Sequence, residues 1–395
     1  MQWISGILKF VEIILFVFLA GNVIYILVFA IAGVLRIRKP SLPFTKFRHI
    51  TLLITAYKED SIIEAIVKSA LQQDYPTDKI DIILIADSFS PSTVQSLSRY
   101  PIRMVIAELD ESTKVHSLQL ALNHISADTD FVVILDADNI MEINCLRKLN
   151  RAFDSGYKVF QCHRAAKNTN SSFAILDAIS EEVNNNIFRE GHRAMGLSAA
   201  LIGSAIAFES GIYRQFIPGL TAVGGFDKEL ELALLSSSVT IDYLSDTYVY
   251  DEKVENSQAF YKQRRRWISA QLYYFGKGLI SSFTGVFLHG NYDLFNKTLQ
   301  FSLVPRAMLL GTLLSVNLIH LFFPPNLFSI LWLIAFVLCS IAILVSIPGH
   351  FYTRETVKAL FSLPKAFFLM VSVLFRLKKA NKKFIHTEHS YQSHF

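Results

Sequence analysis

The chain alternates between short apolar runs and amphipathic stretches over its first half, from His49 to about Asn139. Apolar runs without a polar alternation are typical of strands buried on both faces of a parallel sheet. The stretches between them have the apolar spacing of helices. The predicted strands are 49–55, 80–86, 102–107 and 131–135, and the predicted helices are 61–73, 91–98 and 113–125. This order predicts an α/β fold with a doubly wound, mostly parallel sheet.

The rhythm changes after Asn139, where helices and short strands no longer alternate regularly. Helices are predicted at 142–153, 172–189, 227–235 and 257–274, and strands at 158–162, 202–208, 240–243 and 247–250. No Gly-x-Gly-x-x-Gly follows the first strand, so the usual dinucleotide-binding fingerprint is absent from the sequence.

Two uncharged runs, 13–35 and 328–347, are each long enough to cross a bilayer, and 303–323 is a third apolar run with a single charge, Arg306, near one end. A basic cluster (Arg36, Arg38, Lys39, Lys46 and Arg48) follows the first run, which predicts an uncleaved anchor. A second basic cluster (Arg376, Lys378, Lys379, Lys382 and Lys383) lies in the C-terminal tail, beyond the last of these runs. By the positive-inside rule, both clusters and the large middle region are predicted to be cytoplasmic.

These patterns predict a multi-pass protein of the inner (plasma) membrane with a cytoplasmic catalytic domain. The expected divisions are 1–48, an anchor and basic linker; 49–275, the α/β domain; 276–300, an interfacial segment; 301–349, two transmembrane helices; and 350–395, an interfacial amphipathic helix with a basic tail. For the last segment, a tilted span beginning at Val357 is the alternative.

Composition adds little to this picture but excludes several classes. Hydrophobic residues make up 52% of the chain, and the net charge of +5 is explained by the two basic flanks, so no nucleic-acid partner is expected. The three cysteines (Cys145, Cys162 and Cys339) have no paired spacing, which argues against disulfides and against a zinc site.

Candidate chemistry begins where the fourth predicted strand ends, at Asp136 and Asp138. Ligands bind at the carboxyl edge of open α/β sheets, and paired carboxylates there suit Mg²⁺ or Mn²⁺. Asp87 ends the second predicted strand on the same edge, so one ligand could contact both sites. A solvated turn for the Asp-x-Asp pair and a helix cap for Asp87 are the alternatives.

Two further groups carry possible chemistry. Glu229 and Glu231 follow the Gly224-Gly225 turn, and a carboxylate there could act as a general base or lie on a solvated helix face. The segment 261–267, Tyr-Lys-Gln-Arg-Arg-Arg-Trp, could stabilise a leaving diphosphate through arginine and support a sugar ring on tryptophan. A membrane-proximal basic patch is the alternative for that segment.

Taken together, these motifs resemble those of the membrane-bound family 2 glycosyltransferases, the group that contains cellulose, chitin and hyaluronan synthases. The resemblance covers about 51–271. The family's nucleotide-binding opening is similar to 55–59, its second acidic position falls on Asp87, its lysine on Lys114, its Asp-x-Asp on Asp136 and Asp138, and its Gln-x-x-Arg-Trp on Gln263, Arg266 and Trp267. The family's Glu-Asp-x-Glu-Leu is placed on Lys228-Glu-Leu-Glu-Leu232, so that Glu229 stands where the family has Asp.

The resemblance implies a GT-A domain that transfers a sugar, with inversion, from a nucleotide-diphosphate donor, foremost a UDP-sugar. Glu229 would be the base, with Asp227 as its competitor, and Arg266 would stabilise the leaving diphosphate. The nucleotide sugar would be bound by Thr55, Ala56, Tyr57, Glu59, Asp87, Lys114, Asp136, Gln263 and Arg264. Asp138, helped by Asp136, would bind Mg²⁺ or Mn²⁺, while Trp267 and Gln161 would face the acceptor.

The acceptor implied by Gln-x-x-Arg-Trp is a growing polysaccharide or glycan at the membrane. Two alternatives remain open: transfer of a single sugar to a membrane lipid, and an inactive scaffold subunit of a polysaccharide export complex. Expected partners are the donor, a glycan or lipid-linked acceptor and the bilayer, together with other export subunits or a second copy of the chain. Three spans are fewer than the large polymer synthases have, which argues against a secretion channel within one chain.

Overall fold

A computed structural model describes residues 2–36, 45–109 and 112–377, and one eight-stranded sheet forms its centre. The strands are β1 (Ile50–Tyr57), β2 (Ile80–Asp87), β3 (Arg103–Ala107), β4 (Phe131–Asp136), β5 (Ile140–Met141), β6 (Val159–Ala166), β7 (Ile206–Glu209) and β8 (Ile241–Asp251). Their order across the sheet is β3-β2-β1-β4-β7-β6-β8-β5. The basic residues at 38–39 and 378–383 lie outside the described residues.

The first four strands confirm the predicted parallel sheet. β3, β2, β1 and β4 pair in parallel, and the register sets Tyr57 opposite Asp87 and Thr55 opposite Asp136. Their apolar side chains contribute to a separate buried cluster on each face of the sheet, as expected for strands covered on both sides. Asp87 and Asp136 therefore lie at the same edge of the sheet, at the ends of the two strands that flank β1.

The second half of the sheet differs from the predicted pattern in its strands. β7 lies between β4 and β6 and pairs antiparallel to both. The two strands predicted at 240–243 and 247–250 form one, β8, which is parallel to β6 and has an irregular register between Cys162 and His163. The two-residue strand β5 is antiparallel to β8 and was not predicted, because its sequence is too short to show a period.

Helices cover the sheet and then continue towards the C-terminus. Those of the first part are α1 (Gln2–Leu35), α2 (Ile63–Leu71), α3 (Pro91–Leu97), α4 (Lys114–Ala121), α5 (Cys145–Ala152), α6 (Ser172–Asn184), α7 (His192–Ala194), α8 (Ser210–Phe216) and α9 (Phe226–Ser236). A π-helical turn, Asn185–Gly191, joins α6 to α7. The later helices are α10 (Ser257–His289), α11 (Tyr292–Ser302), α12 (Arg306–His320), α13 (Leu327–Val345), α14 (Arg354–Leu360) and α15 (Leu363–Leu374).

Two helical segments of the described chain are long and apolar enough to cross a membrane, Lys9–Leu35 and Leu327–Val345. The predicted third span at 303–323 is shorter than expected, because Pro305 starts α12 and the helix ends at His320. α12 passes the same test only together with α11, at a bend of 56°. α14 and α15 form a second such pair, bent by 44°.

α1 is attached to the rest of the molecule by both apolar and polar contacts. It packs against α13 and the π-helical turn, and a Cβ on Gly191 would collide with the carbonyl oxygen of Phe29. The Asn22 side chain accepts a hydrogen bond from the Val304 amide at 2.8 Å. The Tyr25 hydroxyl donates to the Asn296 side-chain oxygen at 3.0 Å. The first apolar helix and the α/β domain are therefore one packed body.

Candidate active site

A cavity of about 1280 Å³ opens at the carboxyl edge of the parallel strands and extends to the apolar helices. At the sheet end it is lined by the predicted nucleotide-binding residues Thr55, Ala56, Tyr57, Glu59 and Asp87. At the other end it is lined by side chains of α1, α12, α13 and α15, among them Ile26, Leu310, Ile343, Leu344 and Met370. A single space therefore joins the polar strand ends to the apolar helices.

Asp136 lies at the end of β4 and forms an ion pair with Lys114. Thr113 caps the helix that Lys114 begins, since its side chain accepts a hydrogen bond from the His116 amide. The Lys114 ammonium also donates to the Gly203 carbonyl at 2.5 Å. The Asp136 side chain keeps 37% of its surface exposed, so it can still contact a ligand in the cavity.

Asp138 is more deeply buried, at 7% exposure, and its orientation is fixed by two hydrogen bonds. One carboxylate oxygen accepts from the Asn139 amide group at 3.0 Å, and the other from the Glu252 backbone N–H at 3.1 Å. Glu252 directly follows β8, so the far half of the sheet positions this carboxylate. Among the described residues, no group of three or more His, Cys, Asp or Glu side chains could hold a metal by itself.

α10 carries the predicted Gln263, Arg264, Arg266 and Trp267, and all four line the cavity. The Arg264 guanidinium forms an ion pair with Asp177 and stacks on the Trp267 ring, 4.4 Å from its centre. Burial lowers the pKa of Arg266, and the nearby carboxylates Asp136 and Asp227 partly oppose that shift. The charge of Arg266 is therefore influenced both by the predicted metal site at Asp136 and by the candidate base Asp227.

Asp227 lines the cavity in the first turn of α9. The turn depends on Gly225, whose φ of +71° is left-handed and whose Cβ, if present, would lie 2.7 Å from that of Ala270. The Asp227 carboxylate accepts a hydrogen bond from the Lys228 ammonium at 3.2 Å. Asp227 therefore lines the cavity where it influences the charge of Arg266.

Glu229, the predicted base, instead points into the loop before α9. Its carboxylate accepts hydrogen bonds from the backbone N–H groups of Thr221 at 2.9 Å and Ala222 at 2.8 Å, and from the Lys277 ammonium at 3.1 Å. Burial alone would raise the pKa of Glu229, but these donors hold it below the usual value. A carboxylate so bonded is a poor proton acceptor, because protonation would break its hydrogen bonds.

The position of Glu229 also favours a second register of the motif. Placed two residues earlier, the family pattern Glu-Asp-x-Glu-Leu falls on Phe226-Asp-Lys-Glu-Leu230, which keeps its Asp, Glu and Leu. Phe226 then replaces only the first Glu. Both the structure and this register favour Asp227 over Glu229 as the base.

Gln161, predicted to face the acceptor, has no exposed surface. Its side-chain oxygen accepts from the Ile202 amide at 3.0 Å, and its amide group donates to the Ser204 carbonyl at 3.0 Å. The residues Ile202 and Gly203 between these bonds line the cavity. Gln161 therefore positions a loop of the site and does not contact the acceptor as predicted.

Several charged residues of the cavity wall were not predicted. Glu181 and Arg189 pair at 3.0 Å within the segment interpreted only as a long helix, and Lys253 lies 2.6 Å from Asp251. The available signal was the presence of charged side chains on the buried face of that helix. Arg306 was noticed as a charge beside an apolar run, but the sequence did not show that it lines the cavity.

Comparisons with known proteins agree with this arrangement. The profile of the family described as "Glycosyltransferase like family 2" matches residues 48–270. "Probable glycosyltransferase YdaM" of Bacillus subtilis is 22% identical over 315 residues, which are 75% of this chain and 74% of that protein. "Beta-monoglucosyldiacylglycerol synthase" of Synechocystis sp. is 25% identical over 237 residues, which are 56% of this chain and 47% of that protein.

A solved structure has a similar fold. "Mannosyltransferase PcManGT from Pyrobaculum calidifontis in complex with GDP-Man and Mn2+" superimposes with a TM-score of 0.52 at 15% sequence identity. The match covers 84% of this chain and 98% of that one. At this identity the likeness concerns the fold, which is the predicted GT-A type.

Proposed function

Since the chain belongs to glycosyltransferase family 2 and is an enzyme that transfers glycosyl groups, we propose that it moves a sugar from a nucleotide-diphosphate donor to a membrane-borne acceptor, with inversion. The observation that carries this proposal is the continuous cavity between the strand-end carboxylates and the apolar helices. A donor bound at the sheet edge and an acceptor held among those helices could meet inside one enclosed space.

The donor's nucleoside would bind at Thr55–Tyr57, Glu59 and Asp87, which line the sheet end of the cavity. A UDP-linked sugar is our first candidate, and a GDP-linked sugar is the second because the PcManGT structure is named with GDP-Man. Lys114 and Gln263 line the same cavity and would contact the diphosphate or its sugar. Arg264 would support this contact through its stacking on Trp267.

Asp138 and Asp136 would hold Mg²⁺ or Mn²⁺. Their hard oxygen donors fit either ion, and with only two carboxylates at the site the remaining ligands would come from the diphosphate and water. When bound, the ion would neutralise charge on the leaving diphosphate. The name of the PcManGT structure, which includes Mn²⁺, supports a divalent ion at such a site.

The protein's own groups would then carry the transfer. The Asp227 carboxylate would take the proton of an acceptor hydroxyl, and the freed oxygen would attack the anomeric carbon from the face opposite the donor diphosphate. The bond from that carbon to the diphosphate oxygen breaks, and the nucleoside diphosphate leaves with the electron pair. Arg266 would stabilise the leaving diphosphate, and Trp267 would support the acceptor.

Two acceptor classes have specific support. A growing glycan is favoured by the common cavity face of Gln263, Arg266 and Trp267. A membrane lipid is favoured by the apolar wall of the cavity and by the name of the Synechocystis relative, a diacylglycerol glycolipid synthase. An inactive scaffold is not favoured, because the family's carboxylates Asp87, Asp136 and Asp138 are all present and line the site.

The function is tested by incubating purified protein with a panel of UDP- and GDP-sugars and measuring release of the nucleoside diphosphate. Each donor is tested with Mg²⁺, with Mn²⁺ and with a chelator, and with membrane-lipid and oligosaccharide acceptors. We expect acceptor-dependent release for one donor, and product length on a gel then separates single transfer from polymerisation. No release with any donor would contradict the proposal.

We also propose that the catalytic domain is cytoplasmic and that α12 crosses the membrane between α1 and α13. α11, whose Lys297 pairs with Glu231 of α9 at 3.0 Å, then lies on the domain side of the bend. The chain would then cross the membrane three times and return its tail to the side of the catalytic domain. If only α1 and α13 crossed, or if α14–α15 crossed as well, the tail would lie on the opposite side.

Reporter fusions test this arrangement. A fusion after His394 should be active as a cytoplasmic reporter, and a fusion at Pro325, between α12 and α13, should be active as an external one. A fusion in the exposed turn at Asp78 gives the matched internal reference for the catalytic domain. An external signal at His394 with an internal one at Asp78 would reject three spans.

A further inference from the structure

The first residue of α12, Arg306, lines the cavity and has no carboxylate partner among the residues that the structure describes. Its guanidinium donates to the Asn184 side-chain oxygen at 2.8 Å and to the Ser180 carbonyl at 2.9 Å and hydroxyl at 3.2 Å. These acceptors are all neutral. Enclosed charges are normally paired with an opposite charge, because neutral hydrogen bonds replace only part of their hydration.

Four other cations enclosed in this wall have such a partner. The ion pairs of this wall are Arg164 with Asp251, Arg189 with Glu181, Lys253 with Asp251 and Arg264 with Asp177. Glu181 attracts Arg306 but is already bonded to Arg189 at 3.0 Å and lies 4.0 Å from Lys253. Arg264 lies close enough to repel Arg306. The positive charge at Arg306 is therefore left for another molecule to neutralise.

The backbone around Arg306 favours the same kind of molecule. Residues 303–307 line the cavity, and no side chain caps the N-terminus of α12. The first-turn N–H groups of a helix have no intrahelical partner and carry a partial positive charge that attracts anions. The Nε atom of Arg264, a cation that repels Arg306, is buried and has no hydrogen-bond acceptor within the described part of the chain. A group with several anionic oxygens would satisfy all of these donors.

The anion expected here is not the donor diphosphate. The Arg306 guanidinium is bonded to Ser180 and Asn184 of α6, whereas the predicted donor site is at the strand ends, where Asp136 ends β4. Arg266 is the arginine influenced by Asp136 and by Asp227 of α9. The cavity wall near α12 is instead formed by apolar residues of candidate membrane helices, including Ile343 and Ile347 of the α13 region. An anion at Arg306 would thus have an apolar chain beside it.

We propose that Arg306, with the N-terminus of α12, binds the phosphate of a lipid acceptor whose hydrocarbon chain lies along α1, α12 and α13. This inference rests on the proposed function and narrows its acceptor to phosphate-bearing lipids. Such a lipid could already carry sugars, so the glycan and lipid acceptors of the preceding section need not exclude each other. Arg354, an exposed residue of the cavity wall, lies on α14 and could attract the phosphate as it enters.

The first test compares acceptors that differ only in charge, for the full-length protein in nanodiscs of neutral lipid. A long-chain polyprenyl phosphate is compared with its uncharged alcohol, and a phosphatidylglycerol with a diacylglycerol of the same chains. We expect one phosphate-bearing member to be preferred over its neutral counterpart by at least about tenfold in kcat/KM. Millimolar inorganic phosphate should not inhibit, whereas inhibition would assign the site to free phosphate and overturn the lipid.

The second test uses variants. Arg306→Gln should raise the KM for the phosphate lipid by about 10- to 100-fold, because the charge-assisted hydrogen bonds to the phosphate are lost. Nucleotide affinity should stay within about twofold, because Arg306 does not contact the donor in this proposal. Arg306→Lys keeps the charge and should restore most of the loss. Arg265→Gln is the matched control, because that side chain donates to the Arg376 carbonyl at 2.8 Å and does not line the cavity.

Lipid binding is also measured without turnover, by native mass spectrometry of the lipid retained by each variant. Among the variants, only Arg306→Gln should retain less of the phosphate lipid. This result does not depend on identifying a donor sugar, so it tests the inference separately from the proposed function. Equal retention of charged and neutral lipids by the wild type would overturn the inference. A loss of nucleotide affinity in Arg306→Gln would overturn it too, by assigning Arg306 to the donor.

Discussion

Replacement of Asp138 by asparagine is expected to reduce sugar transfer by at least about 10³-fold, the largest effect of any single change proposed for this protein. The loss of a metal's charge stabilisation amounts to several kcal/mol of barrier, and each 1.4 kcal/mol is about tenfold in rate. The protein should still fold, because an asparagine oxygen can accept the Glu252 backbone hydrogen bond that now reaches Asp138.

The measurement is nucleotide release under saturating donor, together with nucleotide binding in the presence and absence of Mn²⁺. Wild-type protein should bind the nucleotide more tightly with Mn²⁺, and Asp138→Asn should lose that gain while keeping the metal-independent affinity. Asp78→Asn is the matched control, since this exposed aspartate precedes β2 at the opposite edge of the sheet. Full turnover of the wild type in chelator would contradict a metal at this site.

The sheet edge that holds Asp138 was predictable because its signal is local. Buried parallel strands require uninterrupted apolar runs, and the polar residue that ends each run marks the carboxyl edge. The pairing of Tyr57 with Asp87 and of Thr55 with Asp136 follows directly from that rule. The same reasoning could not predict β7, because its insertion between β4 and β6 depends on contacts between residues far apart in sequence.

The candidate membrane helices show the limits of hydropathy. Apolar length correctly identified α1 and α13, but it assigned one continuous span to 303–323, where Pro305 limits the helix and α11 meets α12 at a bend of 56°. Hydropathy also does not indicate where a single charged side chain in an apolar run points. Arg306 lies at the start of an apolar run, and only the packing of Ser180 and Asn184 against it shows that its side chain turns towards the cavity.

For side chains in the site, the sequence identified the motif but not always the orientation. Gln161 and Glu229 both lie in segments that form the site, yet their polar atoms bond to the backbone of neighbouring loops. On a helix, Asp227 and Glu229 are two positions apart and cannot face the same way, so one of them must point away from the cavity. The position after the Gly-Gly turn could not decide which, because both residues follow it, whereas the register that places the family pattern on 226–230 favours Asp227.

The second large effect on catalysis is expected for substitution of Asp227, and substitution of Glu229 is the comparison. Asp227→Asn should lower kcat by about 10²- to 10⁴-fold, equivalent to about 3 to 5 kcal/mol of barrier, because the amide cannot accept the acceptor's proton. Nucleotide affinity should remain nearly unchanged, because the base contacts the acceptor and not the donor. Single-turnover kinetics with bound donor would separate this loss from slow product release.

Glu229→Gln is the matched control and should show the opposite behaviour. Its kcat should stay within about tenfold of wild type, but its free energy of unfolding should fall by about 1 to 3 kcal/mol, because the hydrogen bonds that the Thr221 and Ala222 backbone N–H groups donate to the Glu229 carboxylate are weakened. Because the folded pKa of Glu229 is lowered, this stabilisation is complete above the unfolded pKa and is lost as the pH falls through the folded one. The difference in unfolding midpoint between wild type and Glu229→Gln should therefore be largest near neutral pH and should disappear in acid. An inactive but fully stable Glu229→Gln, beside an active Asp227→Asn, would restore Glu229 as the base and show that α9 turns by about half a revolution when the acceptor binds.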